Sequence, residues 1–178
     1  MTQTREARDP AALDAWRAAN ELLLWLQEEA NREPLFLHGV RKDERSRSAK
    51  TFVRARQAGT EEVYWGVARL FAHYNRTPSN LLWVNFGTGS VGSALARLSW
   101  DERVPGSSRV YLNTLLRLGV RPPWRELMRT CIALRVHGIA PPDWRDLVLD
   151  LSGSNGPRRK VCQRWCDDFY ASNRRYPK

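Results

Sequence analysis

Hydrophobic positions recur at helical spacing along most of the chain. The clearest stripe consists of Val63, Val67, Leu70, Phe71 and Tyr74. Side chains separated by three, four, seven or eight residues lie on one side of an α-helix, so this pattern predicts a helix that buries that side. The alternation of apolar and polar residues that is typical of strands is almost absent. The pattern therefore predicts an all-α protein.

Proline and glycine residues divide the chain into about eight predicted helices. Asp9-Pro10 is typical of a helix start, with an acidic cap followed by proline at the first helical position. Pro141-Pro142-Asp143 and Pro157 are expected to open two further helices, and Gly138 to close one. The charged segment 41–57 is also compatible with a helix.

The predicted helices are grouped into two packed helical-bundle lobes. Residues 1–75 form the predicted N-terminal lobe, and residues 107–178 form a C-terminal lobe with a basic face. Between them, residues 76–106 are predicted to be a loop-rich connection with one short helix, and the sequence assigns no role to its loop at 77–89. A chain of 178 residues is long enough to build such a core.

The charge of the chain points to an anionic partner. Its 29 Lys and Arg residues exceed its 19 Asp and Glu residues, and the formal net charge is +10. Such a surplus attracts polyanions, whether a nucleic acid or an anionic membrane surface. Twenty-five of the basic residues are arginine, a preference that a GC-rich genome also produces, although it explains the net charge less easily. No apolar run approaches the roughly 20 residues of a membrane span, and no signal peptide is visible, so we expect a cytoplasmic protein.

Residue patterns that indicate catalysis or metal binding are weak. The histidines are scattered, and the acidic pairs Asp146/Asp150 and Asp167/Asp168 are expected to lie on solvated helix faces. The cysteine count is odd, and Cys162 and Cys166 do not have the spacing of a zinc motif. We therefore predict a protein without enzymatic activity, metal or cofactor. The third cysteine is Cys131, and the three histidines are His38, His73 and His137.

The segment Gly87-x-Gly89-x-x-Gly92 matches the dinucleotide-binding fingerprint letter for letter. That fingerprint requires a strand before it and a second strand ending in an acidic residue about 20 residues later. The following sequence instead predicts a helix, a loop and another helix. We therefore interpret the glycines as a loop that leads into a helix.

The eight tryptophans allow two interpretations. Aromatic side chains between basic residues stack on unpaired bases in single-strand binders, and Trp124, Trp144 and Trp165 each lie beside an arginine. Trp165, however, belongs to the apolar stripe of its helix. We predict that most tryptophans pack in the core and that Trp83 and Trp100, in or near loops, are the better candidates for exposure.

Three groups of basic residues form the candidate nucleic-acid-binding site. Cations in the first turn of a helix oppose its dipole, so the group that opens the last predicted helix is better explained if an anion binds there. A solvated surface charge remains the alternative for each residue alone. The candidate residues are Arg109 and Arg117 in the first group, Arg125 and Arg129 in the second, and Arg158, Arg159, Lys160 and Arg164 in the third.

The order of the segments over residues 60–171 resembles a known family. The segments are YWGVARLFAHY, GTGSVGSALARL, SSRVYLNTLLRL, WRELMRTCIALRVHGIAPPDWRDLVLDL and RRKVCQRWCDDFY. Together they are similar to CasB, the small subunit of the type I-E CRISPR Cascade complex. Val91 stands where leucine is usual, Met128 replaces one of two paired arginines, and the segment 34–48 matches poorly.

The resemblance implies an all-α, non-catalytic protein that acts within a larger assembly. Its partners would be the other Cascade subunits, a second copy of itself, CRISPR guide RNA and target DNA. Its basic surface would stabilise the R-loop, including the displaced strand, while base pairing reads the sequence. The family's basic positions match Arg109, Arg117, Arg129, Arg159 and Lys160. The alternative is a free-standing helical protein that binds single-stranded DNA or RNA.

Overall fold

The computed structural model describes residues 10–32, 59–75, 85–101, 106–117 and 122–175. Within these ranges the chain forms seven α-helices and no strand, which confirms the all-α prediction. The segment 41–57, which is compatible with a helix, and most of the loop at 77–89 lie outside them. The helices are α1 (Pro10–Arg32), α2 (Glu61–Tyr74), α3 (Val91–Ser99), α4 (Ser107–Arg117), α5 (Trp124–Val136), α6 (Trp144–Ser152) and α7 (Arg158–Arg175).

Polar side chains cap the N-termini of two of these helices. They accept hydrogen bonds from backbone N–H groups that have no partner within the helix. Ser90 precedes α3, and its hydroxyl accepts a hydrogen bond from the Ser93 N–H at 3.3 Å. Asp143 precedes α6, and its carboxylate accepts from the N–H groups of Arg145 at 2.8 Å and Asp146 at 3.4 Å. The predicted helix start at Pro141-Pro142-Asp143 is therefore confirmed.

Buried side chains from all seven helices form one continuous apolar core. Trp144 and Trp165 are among its largest fully buried members. The Phe71 and Tyr74 rings of α2 meet the Trp144 ring edge-on, with centroids 5.8 and 6.0 Å away, and the Trp144 indole N–H donates to the Asn85 carbonyl at 2.9 Å. These contacts fix α2 against α6.

Helices of the two predicted lobes are in direct contact. Helix α1 packs against α6, and α2 packs against both α5 and α6. The division into two lobes remains a prediction. Among the residues that the structure describes, no helix is long and apolar enough to cross a membrane.

Gly92 lets the backbones of α3 and α7 meet where these two helices pack together. A methyl group at Gly92 would overlap the carbonyl oxygen of Trp165 and lie 2.6 Å from its carbonyl carbon. A side chain larger than hydrogen is therefore excluded at this position unless α7 moves away.

The other glycines of the fingerprint-like segment also serve packing. Gly87 has a φ of 78°, and a methyl group there would overlap the carbonyl oxygen of Pro142. The loop is joined to the entry of α6 by hydrogen bonds from Thr88 N–H to Pro141 O at 3.0 Å and from Asp143 N–H to Gly89 O at 2.8 Å. Gly87 thus allows close approach of backbone to backbone, whereas a methyl group at Gly89 would overlap the Ser93 side chain. Both observations agree with the helix-and-loop interpretation of this segment.

Candidate nucleic-acid interface

Helices α4 and α5 form a packed pair that carries two of the predicted basic groups. They pack against each other, and the short segment 118–123 joins the end of α4 to the start of α5. His137, which follows α5, has its Nδ1 2.9 Å from a carboxylate oxygen of Asp101, which precedes α4 in the sequence.

One outward stripe of α5 contains both arginines of the second group. Arg125, Arg129, Ile132 and Val136 follow each other at intervals of four, three and four residues, and all four are exposed. The stripe is basic in the first half of the helix and aliphatic in the second. Because each residue advances the helix by about 1.5 Å, Arg125 and Arg129 are about 6 Å apart along its axis.

Arg109 is exposed at the start of α4 and is held by Tyr170 of α7. Its Nη2 donates a hydrogen bond to the Tyr170 hydroxyl at 3.3 Å, and its guanidinium carbon lies 5.7 Å from the centre of the tyrosine ring. The hydrogen bond to Tyr170 raises the pKa of Arg109 above its ordinary value. This contact links α4 to α7.

The third basic group lies at the beginning of α7, immediately after the turn at 153–156. Arg159 and Lys160 are exposed and Arg158 is half-buried. The first turn of α7 has no acidic residue, so these cations add to the positive end of the helix dipole. Helix α7 packs mainly on α3.

Arg164 differs from the other candidates because its charge is paired with a buried carboxylate. Its guanidinium forms an ion pair with the Asp150 carboxylate, whose side chain is almost completely buried. The same carboxylate accepts from the Trp165 indole N–H and the Asn155 side-chain amide, each at 2.7 Å. This network joins α6 to α7, and the expectation that Asp150 lies on a solvated face is wrong.

The expectation for the other acidic residues holds in part. Asp146 is exposed, although desolvation, followed by the nearby Asp143 and Asp150 carboxylates, raises its pKa. Asp167 is exposed and accepts a hydrogen bond from the Gln163 amide at 2.9 Å, whereas Asp168 is half-buried.

Three arginines that the sequence did not single out have structural roles. Arg97 donates to the carbonyl oxygens of Thr88 and Ala140, each at 3.0 Å, and so holds the glycine-containing loop to the entry of α6. The others are Arg135, which donates to the His73 carbonyl, and Arg145, which contacts Asp143 and the Trp16 ring. Part of the arginine content therefore stabilises the fold.

The tryptophans follow the packing interpretation where the structure describes them. Trp144 and Trp165 are fully buried, and Trp124 is half-buried with its ring against Gly66. Trp100 is half-buried, and its indole N–H donates to the Asn173 side-chain oxygen at 3.2 Å. Trp83 lies outside the described residues.

Potential metal ligands do not converge within the described ranges, where no group of three or more His, Cys, Asp or Glu side chains is arranged to hold an ion. Burial raises the pKa of the Cys131 thiol to about 12, so this thiol is protonated at neutral pH. Cys162 and Cys166 are half-buried free thiols.

Comparison with known proteins assigns the family. The family model of CRISPR-associated protein Cse2 matches residues 24–170. The chain belongs to the Cse2 family. This membership confirms the resemblance drawn from the order of its segments.

Solved structures share the fold of this Cse2-family chain. One is described as a CRISPR RNA-guided surveillance complex; the alignment has 19% identity and a TM-score of 0.64 and covers 90% of this chain and 94% of the other. Another is CasB from Thermobifida fusca, with 15% identity, a TM-score of 0.65 and coverage of 90% and 97%. No curated protein sequence matches the chain.

Proposed function

We propose that this Cse2-family chain is a non-catalytic subunit of a type I-E Cascade complex that stabilises the R-loop through arginine–phosphate contacts. The observation that carries the proposal is the exposed basic surface of the α4–α5 pair. Arg109, Arg117, Arg125 and Arg129 are all exposed there. Helix α4 contains no acidic residue, and α5 contains only the half-buried Glu126. Phosphate groups can approach this surface without meeting a compensating carboxylate on either helix.

Backbone contacts alone are sufficient for such a role. Replacing a DNA duplex by a guide RNA–DNA heteroduplex is nearly balanced in free energy, so a few phosphate contacts shift the equilibrium. Arginine presents a planar fork of donors that fits phosphate oxygens. Base pairing supplies the sequence specificity, and the protein needs to read no base edge.

The proposed partners are the other Cascade subunits, a second copy of this chain, CRISPR guide RNA and target DNA, in the cytoplasm. Family membership and the shared fold with a chain of a surveillance complex support these partners. Arg159 and Lys160, exposed at the start of α7, supply a second phosphate-binding surface. Arg158 and Arg164 are weaker candidates because one is half-buried and the other is paired with Asp150.

We expect the double substitution Arg125→Ala/Arg129→Ala to weaken binding of target DNA by the assembled complex. Affinity falls with salt, and each arginine–phosphate interaction makes the slope of log affinity against log salt steeper by about 0.9. Without two of them the slope should become shallower by about 2, and the affinity should fall roughly tenfold at moderate salt. The measurement is target binding over a range of salt concentrations, with complexes that contain equal amounts of guide RNA.

The matched control is Arg17→Ala/Arg69→Ala, which removes two exposed arginines from α1 and α2. It lowers the net charge by the same amount but leaves the α4–α5 surface intact. The control should bind with an unchanged slope. Equal slopes for both double variants and the unchanged chain would rule out the α4–α5 surface as the phosphate-binding site.

A further inference from the structure

Tyr170 is the one aromatic side chain that is exposed among the described residues; the other tyrosines, phenylalanines and tryptophans there are buried or half-buried. Its exposed fraction is 40%, whereas the adjacent Phe169 is 4% exposed. A large ring left in water forgoes the free energy that burial provides, and exposed aromatic rings beside cations are typical of sites that stack on bases.

Two contacts hold the Tyr170 ring and the Arg109 guanidinium in place. The Phe169 ring meets the Tyr170 ring edge-on, with centroids 5.3 Å apart and an interplanar angle of 86°. Phe169 belongs to the core and therefore supports Tyr170 from the protein side. Arg109 is hydrogen-bonded to the Tyr170 hydroxyl from the neighbouring helix. Groups already ordered before binding lose less conformational entropy when a ligand arrives.

We infer that Tyr170 and Arg109 form a binding site for one unpaired nucleotide. The base stacks on the face of the Tyr170 ring opposite the Arg109 guanidinium, and the guanidinium contacts the adjoining phosphate. A base within a duplex is stacked on its neighbours and cannot offer its face, so the site selects unpaired nucleic acid. The inference rests on the proposed function and identifies the displaced DNA strand as the ligand of this part of the surface.

Charges along α7 indicate the side from which the strand passes the ring. Asp167, three residues before Tyr170, is exposed, and its carboxylate repels phosphate. Arg174, four residues after Tyr170, is exposed one turn further along the helix and attracts phosphate. The strand therefore runs across Arg109, Tyr170 and Arg174 rather than along α7 towards Lys160.

Photocrosslinking tests the site in the assembled complex bound to target DNA. Bases are replaced in turn by 5-iodouracil in the displaced strand, the target strand or the guide RNA, and crosslinked peptides are identified by mass spectrometry. We expect a Tyr170 crosslink to an unpaired position of the displaced strand. A crosslink to an unpaired guide nucleotide would support the base site and assign it to RNA, whereas crosslinks to paired positions alone, or none at Tyr170, would overturn it.

Substitutions separate stacking from phosphate binding. Tyr170→Leu should weaken target binding about fivefold or more at every salt concentration without changing the salt slope, because stacking on a base releases no counterion. Tyr170→Phe keeps the ring and should retain most of the affinity. If Tyr170→Leu binds target DNA with unchanged affinity while Arg125→Ala/Arg129→Ala binds it more weakly, the base site is wrong and the proposed function stands. If the arginine variant binds target DNA with unchanged affinity, the proposed function fails, whatever the result for Tyr170→Leu.

Discussion

Replacement of Asp150 by alanine is expected to lower the free energy of unfolding by about 2–3 kcal/mol, the cost of losing hydrogen bonds to a charged acceptor and of leaving one buried donor unpaired. Asp150 is only 6% exposed and accepts hydrogen bonds from the Trp165 indole, the Asn155 amide and the Arg164 guanidinium. Its removal leaves the buried Trp165 indole N–H without an acceptor, whereas the Arg164 guanidinium and the Asn155 amide can reach water. Because Asp150 lies on α6 and two of its partners lie on α7, the packing of α7 against α6 should be weakened most.

Chemical denaturation of the purified chain measures this effect, and Asp146→Ala is the matched control. Asp146 lies on the same helix but is exposed, and desolvation, followed by the nearby carboxylates, raises its pKa. The control should change the free energy of unfolding by no more than about 0.5 kcal/mol. A decrease in Asp150→Ala no larger than that of the control would show that the network does not stabilise the fold.

Replacement of Gly92 by alanine is expected to cost about 3 kcal/mol, at the upper end of the range for overpacked positions. Alanine is the better helix former by up to about 1 kcal/mol, so helix propensity alone would make this substitution stabilising. The added methyl group, however, overlaps the backbone carbonyl of Trp165, which cannot move aside as a flexible side chain would. Helices α3 and α7 must therefore separate, which weakens the packing along their shared face.

Gly138→Ala is the informative control for this substitution. Gly138 has a φ of 65° and nothing within 4 Å of an added methyl group, so alanine there meets backbone strain of about 1 kcal/mol but no overlap. Thermal unfolding should show a much larger decrease in Tm for Gly92→Ala than for Gly138→Ala. A Tm equal to or above that of the unchanged chain for Gly92→Ala would show that the two backbones are not in close contact.

The helices could be predicted from the sequence because their signals are local. The apolar stripe of α2, the Asp143 cap of α6 and the proline before α7 each depend on residues within one or two turns. The basic stripe of α5 is of the same kind, since the four-residue spacing of Arg125 and Arg129 places them on one side of any helix. Their exposure followed from their charge.

The features that the sequence did not reveal depend on contacts between helices. Asp150 and Arg164 are separated by a turn and have no helical spacing, so their ion pair becomes visible only when α6 and α7 are packed together. Gly92 suggested a cofactor fingerprint because sequence alone does not show which backbone approaches a glycine. Tyr170 was visible as part of a family motif, but the contact that distinguishes it, with Arg109 on another helix, required the fold.

Membership of a Cascade complex is tested most directly by affinity purification of the tagged chain from its native host, with identification of the proteins and RNA that accompany it. We predict recovery of the larger Cascade subunits together with CRISPR-derived guide RNA. Recovery of the chain alone, or with heterogeneous nucleic acid and no other subunit, would contradict the proposed function and favour a free-standing nucleic-acid-binding protein with the same fold.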